Sequence, residues 1–368
     1  MKTKLIILLL CSFLLVVGLI VFLKLGFAKS SPPQQQKITL PSLQEQLGQN
    51  LVVGFEKKEI DQQTKEALEY IKPAGIVLYY RNFENPDQFK KFISDLQKIA
   101  KDTTSKPYFI MLDEEPGGAA RLGVFNNVFA FGEPDWDHIE KGIKIMKDLG
   151  VNVDLAPVAD FPFDNNSFIK NRVPAHDTEH LAEFNRQFIG LLNKYNMSAT
   201  LKHFPGMGIF VDDPHQKLPD ANPKNSVIDE SLKIFKDGID NGADFVMIGH
   251  GIYDDIDPNM PATLSKKIAT DLLQIQLGFN GLIITDDLSE MYFIPNGKMN
   301  LVQATENSFK AGHNIVMFSH GLENTKKIFD KIISDAGQDE NLQSVIATNY
   351  TKVLLMKYKL FPGSVVVR

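Results

Sequence analysis

Outside its N-terminus the chain offers oxygen and nitrogen chemistry. Its one cysteine, Cys11, lies inside an N-terminal apolar run, which leaves no thiol elsewhere for a disulfide, a zinc cluster or nucleophilic attack. Carboxylates, histidines and basic groups gather in short stretches: Asp113-Glu114-Glu115 with Arg121 just beyond, Asp160 and Arg172, Lys202-His203, Asp213-Pro214-His215, His250, and Asp286-Asp287. Asp286 or Asp287 can supply a carboxylate for covalent attack. His215, two residues from Asp213, can transfer protons while that carboxylate orients its ring and raises its basicity. Arg121, Arg172 and Lys202 can donate hydrogen bonds to sugar hydroxyls or to an acidic group, work that suits an arginine fork.

Elements must hold these groups on one side. Short β-rich runs, apolar almost throughout, fall at 51–55, 75–80, 108–112, 151–155, 197–201, 244–248, 281–285 and 314–318, as expected of strands covered on both faces. The first is ambiguous, since it could instead end a helix that begins near Leu43. Amphipathic stretches such as 87–101, 177–194, 228–241, 266–277 and 301–311 separate them, and 341–360 has helical periodicity that reads as packing. Eight strands with helical crossovers predict an α/β fold, a single (β/α)8 barrel. A doubly wound open sheet would also alternate, yet no Gly-x-Gly-x-x-Gly fingerprint follows an early strand. In such a barrel reactive groups belong at the C-terminal strand ends, which is where the charged stretches fall. His250, ending strand six, is grouped with the binding residues as support near the floor of the site.

The formal charge of −6 sums two unlike pieces. Lys2, Lys4, Lys24, Lys29 and Lys37 give the first forty residues +5, leaving 34 − 45 = −11 for the rest. An acidic body argues against nucleic acid as partner. Residues 5–23 form a nineteen-residue apolar run, long enough to cross a hydrocarbon core, preceded by Lys2 and Lys4. Residues 1–28 therefore read as a signal anchor or transmembrane segment that holds the body outside the cytoplasm, with secretion after a cut near Ala28 as the alternative. Residues 29–42 read as a flexible linker and 43–368 as the barrel domain.

The stretch Lys202-His203-Phe204-Pro205-Gly206-Met207-Gly208, followed by Asp213-Pro214-His215-Gln216-Lys217-Leu218-Pro219, resembles the KHFPGHG…DSH..LP signature of the glycoside hydrolase family 3 β-N-acetylglucosaminidases. In register with that family are also Gly75-Ile76-Val77-Leu78, the segment from Asp113 to Arg121, Ala156-Pro157-Val158-Ala159-Asp160, Pro261-Ala262-Thr263-Leu264-Ser265 and Ile284-Thr285-Asp286-Asp287. The resemblance implies a retaining, exo-acting β-N-acetylhexosaminidase of the single-domain kind, with Asp286 as nucleophile and Asp213-His215 as acid/base dyad. It carries sugar contacts over to Asp113, Arg121, Arg172, Lys202 and His203, and it implies neither a metal nor an organic cofactor. The expected partner is a glycan containing N-acetylglucosamine, with peptidoglycan fragments among the candidates, taken by a monomer.

Three stretches depart from the pattern. Met207, Ile209 and Phe210 replace polar loop residues, Pro214 stands where serine is usual, and Pro116 interrupts a glycine-rich turn. They motivate a second reading, a membrane-tethered carbohydrate-binding relative without turnover, and leave Phe210 as a possible sugar platform. A third reading is a metal-dependent barrel hydrolase ligated by His203, His215, His250 and Asp286, although the sequence shows no histidine pair four apart on a helix expected to carry ligands. His138, His176, His180, His313 and His320 have no motif around them and read as surface or cap residues.

Overall fold

The computed structural model describes residues 41–130, 132–173, 175–214, 216–221, 225–290 and 299–364. Eight parallel strands form the barrel: β1 (Leu51–Val53), β2 (Gly75–Val77), β3 (Phe109–Leu112), β4 (Val153–Asp154), β5 (Ser198–Phe204), β6 (Phe245–Ile248), β7 (Leu282–Thr285) and β8 (Val316–Phe318). Their order is β8-β1-β2-β3-β4-β5-β6-β7, every neighbouring pair parallel. The remaining gap, between β7 and β8, is bridged by Ile284 pairing with Ile315, with the Thr285 N–H donating to the Ile315 carbonyl at 3.1 Å. This is the (β/α)8 architecture expected from the alternation of runs. The ambiguous first run resolves into both of its readings in sequence, a helix Leu43–Gly48 and then β1.

Side chains alternate across each strand, and the barrel sorts them into two apolar layers. Val52, Val77, Phe109, Met111, Val153, Phe245, Met247, Leu282, Ile284 and Met317 form the inner cluster. Their neighbours, among them Leu51, Val53, Ile76, Ile110, Leu112, Val246, Ile248, Ile283 and Phe318, join the cluster that also holds the apolar faces of the surrounding helices. The long helix Glu340–Leu360 adds Val353, Met356 and Leu360 to the inner cluster, so its role is packing, as its periodicity suggests.

Most of the helices begin where hydroxyl, acid or amide side chains can take up free backbone N–H groups. Ser42, Asp61, Asn85, Asp135, Asp177, Asn300 and Asp339 each accept from the first turn that follows them. Between β6 and β7 the helix Lys267–Gln276 is wound more widely, with the Leu277 N–H reaching back five residues to the Leu272 carbonyl. Among the described residues no helix is long and apolar enough to cross a membrane. The expected anchor, residues 5–23, and most of the linker lie outside the described residues.

Candidate active site

The inward reading frame of the strands continues upward into the polar residues. Phe109 and Met111 face the inner cluster, so Asp113, two further along, emerges at the same side above β3. By the same step Leu282 and Ile284 lead to Asp286 above β7, and Val77 leads to Tyr79 above β2. These residues line one cavity of about 340 Å3 with Glu115, Arg121, Arg172, Lys202, His203 and Asp287, and Met247 and Met317 of the inner cluster also line it.

An ion network braces one wall. Lys202 Nζ donates to Asp113 Oδ1 at 2.6 Å and lies 2.7 Å from Glu115 Oε1, while only 1% of the residue is exposed. Arg121 Nη2 donates to the other oxygen of Asp113 at 3.1 Å. Arg172 grips Glu115 with two parallel bonds, Nε to Oε2 at 3.0 Å and Nη2 to Oε1 at 2.6 Å, the geometry in which a guanidinium binds a carboxylate best. Three cations thus face two carboxylates. Burial would raise the Asp113 and Glu115 carboxyls, but Lys202 with Arg121 on the first, and Lys202 with Arg172 on the second, outweigh it and hold both below the usual carboxylate range. Burial likewise opposes the charge of Lys202, and its two carboxylates reverse that.

Glu114 shapes the segment that carries Arg121. Its carboxylate accepts the backbone N–H groups of Arg121, Leu122 and Val124 at 2.7, 2.7 and 2.8 Å, which folds the chain after β3 back over the cavity. Burial raises its carboxyl despite these donors. Behind it Asp154, fully buried, accepts the Glu114 N–H at 3.1 Å, and desolvation lifts its carboxyl well above the usual range.

Opposite the ion network stands a second arrangement. His203 is held through Nδ1 by Asp160 Oδ2 at 2.7 Å, and Asp160 also accepts the N–H groups of His203 and of Met207. The ring therefore presents Nε2 to Asp286, 3.9 Å from Oδ2. Asp286 and Asp287 differ sharply. Asp287 Oδ1 accepts from the N–H and hydroxyl of Ser289 at 2.8 and 2.6 Å and from the Ser319 N–H at 3.2 Å, and its Oδ2 accepts from the Ser319 hydroxyl. Asp286 Oδ1 receives the Asp287 N–H at 2.8 Å, and its Oδ2 is the oxygen that faces His203.

The segment after β5 turns close against its neighbours. A Cβ on Gly208 would lie 1.7 Å from the Phe161 carbonyl oxygen, and Gly206, at φ +125°, would meet Ser231 Oγ at 2.0 Å, so both positions require glycine. The apolar departures are packing: Met207 is fully buried, and Phe210, 2% exposed, meets Tyr253 edge-on with centroids 5.1 Å apart. Phe210 is therefore a core residue and offers no platform to a sugar.

Of the residues singled out in the sequence, Asp113, Arg121, Arg172, Lys202, His203 and Asp286 converge on the cavity. His250 does not line it: fully buried, it uses Nδ1 on Thr263 Oγ1 at 2.7 Å and Nε2 on the Asp287 carbonyl at 3.2 Å, behind the wall. Asp213 is not among the described residues that line the cavity, and His215 lies outside the described residues. The ligand set His203, His250 and Asp286 is not among the groups of described residues whose ligand atoms converge within 4.8 Å; those groups are His176, Asp177 and His180, and Asp287, Glu290 and His320. Sequence reasoning assigned no role to Glu115, Asp160 or Tyr79. Glu115 sits two beyond Asp113 and Tyr79 two beyond Val77, so strand parity was the available signal for those two, whereas Asp160 was marked only by ending the Ala-Pro-Val-Ala-Asp segment.

Comparison with known proteins fits this site. The family model described as the glycosyl hydrolase family 3 N-terminal domain matches residues 42–354. A beta-hexosaminidase of Xanthomonas campestris pv. campestris is 30% identical over 288 residues, 73% of this chain and 84% of that protein. One of Stenotrophomonas maltophilia is 30% identical over 254 residues, 65% and 74% of the two chains. Among solved structures, a glycoside hydrolase family 3 beta-N-acetylglucosaminidase from a Paenibacillus species superposes with TM-score 0.79 at 25% identity, over 89% of this chain and 64% of that one. A fungal multi-domain relative gives TM-score 0.80 at 26% identity, and there the chain spans only 40% of the relative's length. A barrel whose strand ends carry this cavity, matched over its length by that family model, belongs to glycosyl hydrolase family 3.

Proposed function

We propose that this family 3 glycoside hydrolase, of the β-N-acetylhexosaminidase type, is a retaining, exo-acting enzyme that removes terminal β-linked N-acetylglucosamine from cell-wall or related glycans. Asp286 attacks the anomeric carbon and forms a glycosyl-enzyme, while His215, oriented by Asp213, protonates the leaving oxygen and afterwards takes a proton from the incoming water. One observation carries the choice of nucleophile: at the end of β7 both aspartates line the cavity, but the Asp287 carboxylate is held by Ser289 and Ser319, whereas Asp286 Oδ2 faces His203 Nε2 at 3.9 Å. Asp113, Arg121, Arg172, Lys202 and His203 hold the terminal sugar, and a floor of Met247 and Met317 suits a site that takes a chain end. His250 acts on the sugar indirectly, by supporting the Asp287 backbone.

Residues 5–23 anchor the enzyme with its barrel outside the cytoplasm, where it works as a monomer; a cut after Ala28 would release it. Membrane fractionation with N-terminal sequencing of the mature chain separates the two.

Hydrolysis of a chromogenic β-N-acetylglucosaminide tests the chemistry. Asp286→Ala is expected to lower kcat by about 10^3-fold or more, and equal, slow release by wild type and variant would refute the nucleophile. His215→Ala should lose most on substrates with poor leaving groups and flatten the pH profile. If both survive in His215→Ala, the proton passes through another group.

A further inference from the structure

We propose that His176, Asp177 and His180 form a surface site for one divalent transition-metal ion of the zinc type, separate from the sugar cavity. The three residues stand at the start of the helix Thr178–Lys194, with Asp177 as its N-cap. Spacing of one and three places them on the same turn, and their ligand atoms lie within 4.8 Å of one another. The two imidazoles overlap with centroids 4.2 Å apart, an approach that two imidazolium ions would resist and that a shared cation accommodates. This pair, four apart, is among the five histidines that the sequence presents as surface or cap residues.

The surroundings add charge of the right sign. Glu133 and Glu183 line the same concavity, of about 210 Å3, walled by Trp136 and Phe184. Asp177 Oδ2 lies 2.7 Å from His180 Nδ1, so a carboxylate already sits against that ring. The positive end of the helix works against a cation here, and three carboxylates outweigh it. Two imidazoles with one carboxylate and room for water select zinc, nickel or copper over magnesium and calcium, which want oxygen donors.

Calorimetric titration of the metal-free full chain with zinc chloride tests the site. At pH 7.5 wild type should bind one ion that raises its melting temperature, and it should bind no magnesium from magnesium chloride. His176→Ala and His180→Ala should each abolish it. Asp177→Asn, which preserves the helix cap, should weaken it by about 10-fold. All three variants should melt as wild type does without zinc and keep wild-type glycoside hydrolysis. A wild type that binds no zinc, or zinc binding of equal stoichiometry and affinity in His176→Ala and His180→Ala, would overturn the assignment.

Discussion

Lys202 and Lys357 are both buried in the barrel, one at the top and one among the residues that close the bottom, and their surroundings could hardly differ more. Lys202 has Asp113 and Glu115 at 2.6 and 2.7 Å, and its ammonium is held above the ordinary lysine range against the pull of burial. Lys357 is fully buried on the helix Glu340–Leu360, with its Nζ 5.1 Å from the centre of the Phe109 ring and no hydrogen-bond acceptor among the described residues. Burial, with Lys106 adding to it, pushes Lys357 well below the lysine range. The same side chain has its charge reinforced at one end and opposed at the other. At the top the strand ends bring carboxylates inward; at the bottom they meet Val353, Met356, Leu360 and Phe361. Charge is concentrated where a polar ligand must be gripped, and the opposite end serves stability, the division of labour usual in such barrels.

Breaking the upper cluster should have the largest effect. Lys202→Met leaves Asp113 and Glu115 buried without their shared cation, which should cost about 3–5 kcal/mol of stability and about 10^3-fold in kcat/KM. Denaturant melts and kinetics on an aryl β-N-acetylglucosaminide would measure both. The two carboxyls are held below their unfolded range, so the stability they contribute is full at neutral pH and is lost as pH falls below about 4. The deficit of Lys202→Met should therefore be greatest near pH 7 and narrow in acid.

The lower lysine should respond in the opposite sense. Because its folded pKa is depressed, the unfolded chain binds the extra proton, and wild-type stability rises with pH toward the ordinary lysine value of about 10.4. Lys357→Met should add about 2 kcal/mol at pH 7, a gain that shrinks toward pH 10, with kinetics unchanged. A destabilised Lys357→Met would erase the contrast between the two ends.

The smallest effect sharpens the upper wall. Arg172→Lys keeps the charge beside Glu115 but loses one arm of the fork, and kcat/KM should fall about 10-fold with little change in melting temperature.

How much of this could be read in the sequence follows from the range of the forces involved. Strands covered on both faces are apolar throughout, so β1 to β8 were legible as runs, and parity along β3 and β7 fixes which way Asp113 and Asp286 point. Pairings between distant segments were not: nothing local says that Arg172 meets Glu115 or that Asp160 holds His203. The expected end of β5 is 201, yet the strand runs to Phe204, because Asp113 and Asp160, distant in the chain, give the buried Lys202 and His203 their hydrogen-bond partners. Met207 and Phe210 looked like changes in a binding loop, and only the packing of Phe210 on Tyr253 shows that they belong to the core.

The central claim is that Asp286, and not its neighbour, forms the covalent intermediate. Incubation with a fluorinated N-acetylglucosaminide that slows deglycosylation, followed by mass spectrometry of the peptide spanning 282–290, addresses it directly. The account predicts a single glycosyl adduct located on Asp286, with product released in the β configuration. An adduct on Asp287, or product released with inverted configuration, would contradict it.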